Sequence, residues 1–573
     1  MRIPAEGRGD PPGPASGPVP GPASGPSPGP DAGPDAGPGE GPPGRLNRLL
    51  TSRLSTAPPL ARDGAALVAG ALPVLAFPEP SLWWLACVAL TPWLLILRTA
   101  PSGRRAALEG WLGGVGFVVA MHHWLAPNLH VFIVVLGALL GVLWAPWGWL
   151  VRALLGGAPS AARGAAAVLA VPSGWLLIEL ARSWEGLGGP WGLLGASQWQ
   201  VEPALALASV GSVWLVSLLI VAVNTALVLL LTARAARLPA LAGLLVIALA
   251  VPAAWLWAPR PDPSGRVRVA VVQPGVVNGL SSIERRFDRS EELTRGLAAR
   301  DLDMDLVVWG ESSVGADLGR RPDLAGRLAA LSREADAPLL VNVDARRGDR
   351  PGIFKSSVPV GPEGPAGDRY DKMRLVPFGE YVPARALLGW VTSMGEAADE
   401  DRRRGTRPVV MELPGDGLRI GPLICFETAF PDMSRRLARN GAQLLVAQSA
   451  TSTFQGSWAP EQHASLAALR AAETGRPMVH ATLTGASAVY DAEGERIGRV
   501  LGTEESTAAV YEIPLAEGST LYVRFGDWPV YGALAVLAAL SAAAGARTFR
   551  SSARGRGARR VRTARGSSGH PRD

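Results

Sequence analysis

Three residues that are far apart in the sequence have the types that acyl transfer through a thiol requires. Cys425 ends the apolar run 420–424, and two charged residues stand in similar contexts upstream, Glu311 after DLVVWG and Lys372 in YDKMRLVPFGEYVP. A thiol at the end of a buried strand is placed as a nucleophile. A carboxylate can accept its proton, and an ammonium group can stabilise the charge that develops on a carbonyl oxygen.

The order of these residues, Glu, then Lys, then Cys, resembles the catalytic centre of the carbon-nitrogen hydrolase (nitrilase) superfamily. Residues 376–383, VPFGEYVP, resemble the signature of its membrane-bound branch, the apolipoprotein N-acyltransferase family. The resemblance runs from about residue 62 to about residue 546. It implies that Glu311 is the general base, that Cys425 is the nucleophile, and that Lys372 lowers the pKa of the thiol and stabilises the tetrahedral intermediate.

Each of the three residues, taken singly, has an ordinary structural interpretation. A lone cysteine is more often a small buried hydrophobe. Glu311 alone fits a helix cap, and Lys372 alone fits a solvated surface charge. Their joint occurrence in the order that the superfamily uses favours catalysis.

Further residues match supporting positions of the family. Glu380 in PFGEY and Glu427, next but one to the nucleophile, are implied to support the active site, and the backbone N–H of Phe426 is a candidate second donor to the oxyanion. The alternative for the two acids is that they pair with arginines and hold loops. In the segment RAAETGRP, we expect Glu473 and Arg476 to brace the sheet next to the site.

The sequence departs from the family's pattern around the expected site. Gly310 stands where the family usually has the proline of Trp-Pro-Glu, and Phe426 where it commonly has tyrosine. Phe287 stands for a tryptophan, and residues 450–454, ATSTF, stand for Asn-Asp-Ala-Trp-Phe. The three reacting side chains are intact but their surroundings differ, so the sequence leaves the acyl acceptor open.

Aromatic residues near the expected site are the candidate substrate contacts. These are Phe287, Phe454 and Trp390. Trp390 belongs to the apolar segment 386–391, ALLGWV, which is a candidate lid and membrane contact.

The composition is that of an integral membrane protein. Of the 573 residues, 48% are hydrophobic and 18% are charged, and 19 are tryptophan, which is too apolar for a purely soluble enzyme. The two cysteines, Cys87 and Cys425, cannot form a disulfide framework, and we expect Cys87 to pack in its apolar stretch. The histidines are scattered and we find no phosphate-binding glycine loop or nucleic-acid module. The sequence therefore predicts no metal, no cofactor and no nucleic-acid partner.

Apolar stretches near the roughly 20 residues that cross a bilayer predict about eight membrane spans. Their approximate bounds are 62–79, 81–98, 107–126, 129–155, 165–182, 204–232, 238–258 and 528–546. Arginines cluster before the first stretch and in every second connection after it, with Arg182 as the exception. The positive-inside rule then places both termini in the cytoplasm and the block before the last span outside, in a multi-pass protein of the cytoplasmic (inner) membrane.

The remaining segments complete the predicted organisation. Short β-rich runs alternate with amphipathic helical segments over residues 266–515, which indicates an α/β domain, and the resemblance implies a nitrilase-like αββα sandwich. The expected order is a disordered Pro/Gly-rich tail at 1–44, a seven-span transmembrane domain at 62–258, the extracytoplasmic catalytic domain at 266–515, an eighth span at 528–546 and a basic cytoplasmic tail at 547–573.

A catalytic domain held on membrane spans suits a substrate that is itself in the membrane. The resemblance implies transfer of a fatty acyl chain from a phospholipid, through a thioester on Cys425, to the α-amino group of a diacylglyceryl-cysteine at a lipoprotein N-terminus. One alternative is a membrane-tethered hydrolase or acyltransferase that acts on a different amine or amide. The other is a non-catalytic scaffold with a nitrilase-like domain, against which the complete Glu-Lys-Cys set argues.

Overall fold

The computed structural model describes residues 56–279, 281–388, 400–415 and 417–566. The predicted disordered tail at 1–44, Trp390, and the last residues of the predicted basic tail lie outside the described residues.

The chain is helical from Pro59 to Trp257, with short connections. The helices are α1 (Pro59–Ala71), α2 (Ala86–Ala89), α3 (Thr91–Arg98), α4 (Gly103–Met121), α5 (Ala126–Leu129), α6 (Phe132–Gly141), α7 (Trp144–Leu155), α8 (Ala161–Arg182), α9 (Glu202–Thr232) and α10 (Arg237–Trp257). Apolar side chains on most faces of these helices fit burial against one another or against lipid.

Within the described residues, five helices are long and apolar enough to cross a membrane, or six if the bent pair of α6 and α7 is one span. The five are Pro59–Ala76, Ala161–Arg182, Glu202–Thr232, Arg234–Trp257 and Trp528–Arg547. The other two predicted spans correspond to a shorter apolar helical segment at Trp83–Arg98 and to α4, which carries charged residues in its first two turns. The predicted count of about eight stays a prediction.

Arg182, the exception to the arginine distribution, has a local structural reason. Its side chain is 1% exposed, and its guanidinium donates to the carbonyl oxygens of Trp191 (2.7 Å) and Gly192 (3.0 Å). The arginine thus fixes the loop that follows α8, because a buried guanidinium requires hydrogen-bond acceptors.

Two β-sheets follow, and both are formed by strands between Asp262 and Glu517. The strands are β1 (Asp262–Gln273), β2 (Leu306–Trp309), β3 (Leu339–Arg346), β4 (Ile353–Gly361), β5 (Gly364–Pro365), β6 (Tyr370–Asp371), β7 (Met411–Glu412), β8 (Arg419–Ile424), β9 (Leu444–Ser449), β10 (Met478–Thr482), β11 (Ser487–Tyr490), β12 (Arg496–Leu501) and β13 (Thr507–Glu517). Their helices are α11 (Ser282–Ala298), α12 (Pro322–Ala335), α13 (Arg385–Leu388), α14 (Pro431–Arg439), α15 (Ala459–Thr474), α16 (Leu521–Phe525) and α17 (Trp528–Gly566).

The first sheet has the order β13-β1-β2-β3-β4-β5, with β6 paired to β4, and the second has the order β12-β11-β10-β9-β8-β7. Each sheet has parallel strands at its centre, β1-β2-β3 in the first and β8-β9-β10 in the second, and antiparallel strands at its edges. The carboxyl ends of parallel strands meet at one edge of a sheet, so the loops that follow β8 and β9 lie close together. The loop after β2, in the first sheet, reaches them through a hydrogen bond from the Glu311 N–H to the carbonyl oxygen of Ser449.

Three hydrophobic cores define the layers. Val269 and Val271 of β1 face the core between the two sheets, whereas Ala270 and Val272 face the core beneath α11 and α12, as the alternation of a strand requires. The second sheet packs its other face on α14 and α15, and this third core continues into the membrane helices α3 to α9. The layers are therefore helix, sheet, sheet and helix, as expected for an αββα sandwich.

Candidate active site

Cys425 stands at a sharp turn at the end of β8. It begins a short 3-10 turn that runs to Ala429, and its φ is 49°. A residue with a side chain adopts this left-handed conformation only where its surroundings hold it. The side chain is half-buried, and its Sγ lies 3.9 Å from the carbonyl oxygen of Ala450.

Glu311 reaches the same region from the other sheet. It lies two residues after β2, and its backbone N–H donates to the carbonyl oxygen of Ser449, the last residue of β9 (3.1 Å). A Cβ on the preceding Gly310 would stand 2.4 Å from the backbone nitrogen of Leu483. This close approach requires glycine and explains why the proline of the family's pattern is absent here.

Two lysines lie side by side because β6 pairs with β4. Ser356 is opposite Asp371, so Lys355 and Lys372 are the next pair along, and the Lys372 N–H donates to the carbonyl oxygen of Lys355 (2.8 Å). Like charges on adjacent strands repel each other. The arrangement therefore requires carboxylates nearby.

Two glutamates supply carboxylates to Lys355 and Lys372. The Lys372 Nζ lies 3.0 Å from the Glu311 Oε1 and 2.8 Å from the Glu380 Oε1. The Lys355 Nζ lies 2.9 Å and 3.1 Å from the same two atoms. Two carboxylates and two ammonium groups thus form a buried cluster whose four charges sum to zero, which we call the Glu/Lys cluster. Asp344, 3.8 Å from Lys355, is in turn paired with Arg402 (3.4 Å).

The Glu/Lys cluster fixes the ionisation of its members. Burial raises the pKa of Glu311, but the charges of Lys355 and Lys372 outweigh burial and lower this pKa to about 2. Burial likewise raises the pKa of Glu380, and the same two ammonium groups bring it below its usual value. Both acids are therefore carboxylates at neutral pH, and Glu311 is ionised as a proton acceptor must be.

The thiol of Cys425 is protonated in this environment. Burial, followed by the negative charge of Glu311, raises its pKa to about 12, while Lys372 acts in the opposite direction. Lys372 does lower the pKa of the thiol, as expected, but desolvation and the Glu311 carboxylate outweigh the ammonium group, so the net pKa is raised. The Glu311 N–H and the Cys425 Sγ lie at the carbonyl groups of the adjacent residues Ser449 and Ala450, and Lys372 binds the Glu311 carboxylate, so the three residues that the sequence singled out lie together.

Glu427 joins the turn at Cys425 to the loop of Lys372. Its Oε1 accepts from the Tyr370 hydroxyl (2.7 Å) and from the backbone N–H groups of Met373 (2.7 Å) and Arg374 (3.0 Å), and its Oε2 accepts from the Ile424 N–H (2.9 Å). The side chain is fully buried. Glu427 thus holds loops, as its structural alternative supposed, but through a tyrosine and three backbone amides rather than through arginines.

Glu380 has two tasks in the same loop. Besides the two ammonium groups, it binds the Val376 N–H through its Oε2 (2.8 Å). It therefore holds its own loop in a closed turn while it contributes a charge to the Glu/Lys cluster.

Phe426 faces the helical part of the chain. Its ring packs edge-to-face on Phe430 at 4.9 Å, and its Cζ would lie 2.6 Å from a Cβ on Gly189. Gly189, in the loop after α8, has a φ of 71° and leaves room for the ring. Phe426, the residue after Cys425, is therefore a contact between the two-sheet part and the loops of the membrane helices.

The aromatic residues proposed as substrate contacts lie in different places. Phe287 is 4% exposed in the core beneath α11, where it packs edge-to-face on Trp309 at 5.4 Å, whereas Cys425 packs against the core between the two sheets. Phe454 is half-buried and stands edge-to-face on Trp124, at 4.8 Å, where a membrane-helix loop meets the segment after β9. Trp390 lies outside the described residues.

A buried ion pair connects the turn at Cys425 to a break in α9. Gly211 and Ser212 interrupt that helix, and the Glu473 Oε1 accepts from the Ser212 hydroxyl (2.7 Å) and the Val213 N–H (2.9 Å). Glu473 is paired with Arg470, which donates to the carbonyl oxygen of Ala429 (2.8 Å) at the end of the turn. Glu473 therefore fixes a membrane helix, in contrast to the expected brace of the sheet.

Arg476 does brace the sheets, as expected. It donates to the carbonyl oxygens of Ala442 (2.8 Å), before β9, and Gly518 (2.8 Å), after β13. These contacts join one strand end from each sheet.

Sequence reasoning missed two residues of the site. One is Lys355, whose signal was a lysine inside the otherwise uncharged strand IFKSSVPV. The other is His463 of α15, which is 2% exposed and has its Nε2 3.0 Å from the carbonyl oxygen of Cys425. Burial lowers the pKa of His463 to about 4, so the ring is neutral and donates to that carbonyl. The position of His463 in the sequence gave no indication that it lies in the site.

Two known protein families match this chain. The Carbon-nitrogen hydrolase family matches residues 268–521, and the Apolipoprotein N-acyltransferase N-terminal domain matches residues 69–226. The two sheets with their cysteine, lysines and glutamates thus define a carbon-nitrogen hydrolase domain joined to membrane helices. The apolipoprotein N-acyltransferase from Geobacter metallireducens is 31% identical to this chain, and the match covers 83% of this chain and 94% of that protein. The apolipoprotein N-acyltransferase from Azotobacter vinelandii is 33% identical, and the match covers 82% of this chain and 93% of that protein. The chain belongs to the apolipoprotein N-acyltransferase family.

Among solved structures, the chain is similar to Saccharomyces cerevisiae Nit3, a member of branch 10 of the nitrilase superfamily. The match has 17% identity and a TM-score of 0.34, and it covers 44% of this chain and 91% of that protein.

Proposed function

We propose that this protein transfers a fatty acyl chain from a phospholipid to the α-amino group of the diacylglyceryl-cysteine of apolipoproteins, with Glu311, Lys372 and Cys425 as its catalytic residues. Its relatives carry the name apolipoprotein N-acyltransferase. The observation that carries the assignment of residues is geometric: the Glu311 N–H binds the carbonyl oxygen of Ser449, the Cys425 Sγ lies 3.9 Å from the carbonyl oxygen of the next residue, Ala450, and Lys372 binds the Glu311 carboxylate at 3.0 Å.

In the first step, the Cys425 sulfur attacks the carbonyl carbon of a phospholipid ester while Glu311 accepts the thiol proton. The high pKa of the thiol favours transfer of the proton during the attack rather than before it. Lys372 and the Phe426 N–H stabilise the oxyanion. The ester C–O bond then breaks, the lysophospholipid oxygen takes the proton from Glu311, and a thioester remains.

In the second step, the lipoprotein α-amino nitrogen attacks the thioester carbonyl. The C–N bond forms, the C–S bond breaks, and the proton of the amine passes through Glu311 to the Cys425 sulfur. Water must be kept from the thioester, because hydrolysis would turn the enzyme into a lipase. The packing of Phe426 against Gly189 puts a loop of the membrane helices beside the turn at Cys425, which supports exclusion of water on that side.

The same proposal includes a membrane arrangement. It has eight spans, of which Trp83–Arg98 and α4 are two, with residues 266–515 facing outward and both termini in the cytoplasm of a cell whose inner membrane holds the protein. Its support is the arginine-rich set of connections on one side of the helices, formed by Arg98, Arg104, Arg105, Arg152, Arg163, Arg234 and Arg237.

Trapping of the thioester tests the proposal. Purified full-length protein in detergent is incubated with a phospholipid that carries a labelled acyl chain, denatured, and examined for label that hydroxylamine releases. We expect label on wild type and none on Cys425→Ala. Cys87→Ala is the matched control because the chain has only these two cysteines, and it should retain the label.

The acceptor is tested with the same preparation. A synthetic diacylglyceryl-cysteine peptide should remove the label from the enzyme and become N-acylated, as mass spectrometry of the peptide would show. Folded wild type without a thioester would overturn the reaction proposed for Cys425. Thioester formation without transfer to the peptide would favour an enzyme that acts on a different amine or on water.

A further inference from the structure

A cavity of about 500 Å³ lies where α3 and α7 end and α8 begins. Its lining includes three arginines: Arg98, the last residue of α3; Arg152, in the last turn of α7; and Arg163, in the first turn of α8. Arg98 is 6% exposed, and the other two are half-buried. Three cationic side chains from three helices therefore border one open cavity.

Each guanidinium uses the same edge to hold the protein. The Nε and Nη2 groups donate to backbone carbonyl oxygens at the ends of the neighbouring helices: Arg98 to Leu155 (3.3 Å) and Gly157 (3.0 Å), Arg152 to Ala100 (2.7 Å) and Pro101 (3.0 Å), and Arg163 to Leu154 (3.0 Å) and Gly156. These bonds cap helix carboxyl ends. In the described part of the chain, the three Nη1 groups have no protein partner.

The charges of these arginines are not compensated by acids. Among the described residues, no carboxylate lies within ion-pair distance of any of the three. Nearby, the opposite holds: Arg62 pairs with Glu109 (2.6 Å), and Arg105 pairs with Asp63 (2.6 Å) and Glu109 (2.9 Å). At this end of the helices, the arginines Arg62 and Arg105 have their charge compensated by carboxylates. The charge of the three cavity arginines is not compensated in this way, so we expect an anion to bind in the cavity.

The cavity is separated from Cys425 by about the thickness of a membrane. α8 begins beside the cavity and ends at Arg182, which binds the carbonyl oxygen of Trp191. The Trp191 ring N–H donates to Gln462 (2.9 Å), the neighbour of His463 in the candidate active site. A helix of 22 residues is about 33 Å long, against a hydrocarbon core of about 30 Å. The cavity is therefore not the acyl-donor site, and it lies at the depth of lipid headgroups.

We propose that this cavity binds the phosphate headgroup of an anionic phospholipid from the leaflet opposite the catalytic domain. The free Nη1 groups are the donors, because guanidinium groups bind phosphate oxygens with short, charge-assisted hydrogen bonds. The source is a lipid because the cavity lies at the end of an apolar helix long enough to span the membrane, where headgroups are concentrated. This inference is independent of the proposed acyl transfer.

Ala153 offers a test that leaves every arginine–carbonyl bond in place. It is exposed, lies on α7 and lines the cavity. Ala153→Glu places a carboxylate beside the arginines and competes with the phosphate, whereas Ala153→Gln has nearly the same shape and no charge. The full-length variants are compared in nanodiscs of phosphatidylcholine alone and of phosphatidylcholine with phosphatidylglycerol, and the midpoint of thermal unfolding is measured in each.

The proposal predicts a crossed result. Phosphatidylglycerol should raise the unfolding temperature of wild type and of Ala153→Gln, because a ligand that binds only the folded protein stabilises it. Phosphatidylglycerol should raise the unfolding temperature of Ala153→Glu little or not at all. In phosphatidylcholine alone, Ala153→Glu should have a higher unfolding temperature than Ala153→Gln. Native mass spectrometry should show about tenfold weaker retention of phosphatidylglycerol by Ala153→Glu than by Ala153→Gln.

Equal responses of the two Ala153 variants to phosphatidylglycerol would overturn the proposal. So would inorganic phosphate in phosphatidylcholine nanodiscs if it stabilised wild type as much as phosphatidylglycerol does, since the ligand would then be a soluble anion. A charge-matched pair of triple variants separates this cavity from general surface charge: Arg98→Gln/Arg152→Gln/Arg163→Gln should lose the stabilisation, and Arg104→Gln/Arg234→Gln/Arg237→Gln should keep it.

Discussion

Lys355 offers the sharpest test of how the Glu/Lys cluster works. Lys355→Met removes one of the two ammonium groups that bind Glu311 and Glu380 and keeps a side chain of similar length. The two carboxylates then share Lys372 alone, and the cluster changes from neutral to a net charge of −1. We expect the pKa of Glu311 to rise, because the nearer of its two cationic partners, at 2.9 Å, is lost.

The size of the effect follows from the geometry. Unit charges about 3 Å apart interact by roughly 5.5 kcal/mol at an effective dielectric constant of about 20. Water that enters the space left by the ammonium group recovers part of this energy. If about half is recovered, roughly 2.7 kcal/mol remains, and the pKa of Glu311 should rise from about 2 to about 4.

The variant should show this change in two assays. The rate of thioester formation at saturating phospholipid should fall on the acid side near pH 4, whereas in wild type Glu311 stays ionised down to about pH 2. Stability should change in the same pH range. A lowered carboxylate pKa in the folded state stabilises the protein fully above the unfolded pKa near 4.3, and this contribution disappears as the pH falls through the folded pKa.

With a folded pKa near 4, the variant should therefore lack about 3 kcal/mol of stability at neutral pH and show little further loss between pH 5 and pH 2. Lys355→Arg keeps the charge and should resemble wild type in its pH dependence. An unchanged acid limb and an unchanged pH dependence of unfolding in folded Lys355→Met would refute the assignment of Lys355 as a determinant of the ionisation of Glu311.

Two further substitutions test how the nucleophile turn is held. In Glu427→Gln, the amide nitrogen must face either the Ile424 N–H or the three donors on the other oxygen. At least one donor is then left unpaired, at a cost of about 1–3 kcal/mol. Thioester formation should slow by at least tenfold, and an unchanged rate would show that Glu427 does not position Cys425. Glu473→Gln leaves Arg470 buried without its carboxylate and should lower the free energy of unfolding in detergent by about 3–5 kcal/mol. Glu292→Gln, which breaks an exposed pair, is its control and should cost at most about 1 kcal/mol.

Much of the fold was predictable because it depends on local patterns. Alternating β-rich and amphipathic helical runs indicated the α/β class, and long apolar stretches indicated membrane helices. The departure at Gly310 had no explanation in the sequence, because its cause is the backbone of Leu483, which approaches from the other sheet. Likewise, the sequence assigned Glu473 to the sheet, because nothing in α15 reveals that the chain of α9 breaks opposite it.

The sequence by itself determined which residue types are available for the chemistry: one thiol at the end of a strand, with a glutamate and a lysine in the order of a known catalytic centre. The tertiary structure alone decided their ionisation. It paired β6 with β4, which set Lys355 beside Lys372, and it buried both with Glu311 and Glu380, so that the thiol has a raised pKa and its expected base a lowered one. Spacing along a chain carries no information on desolvation or on charges brought together from distant segments, and these two quantities set a pKa.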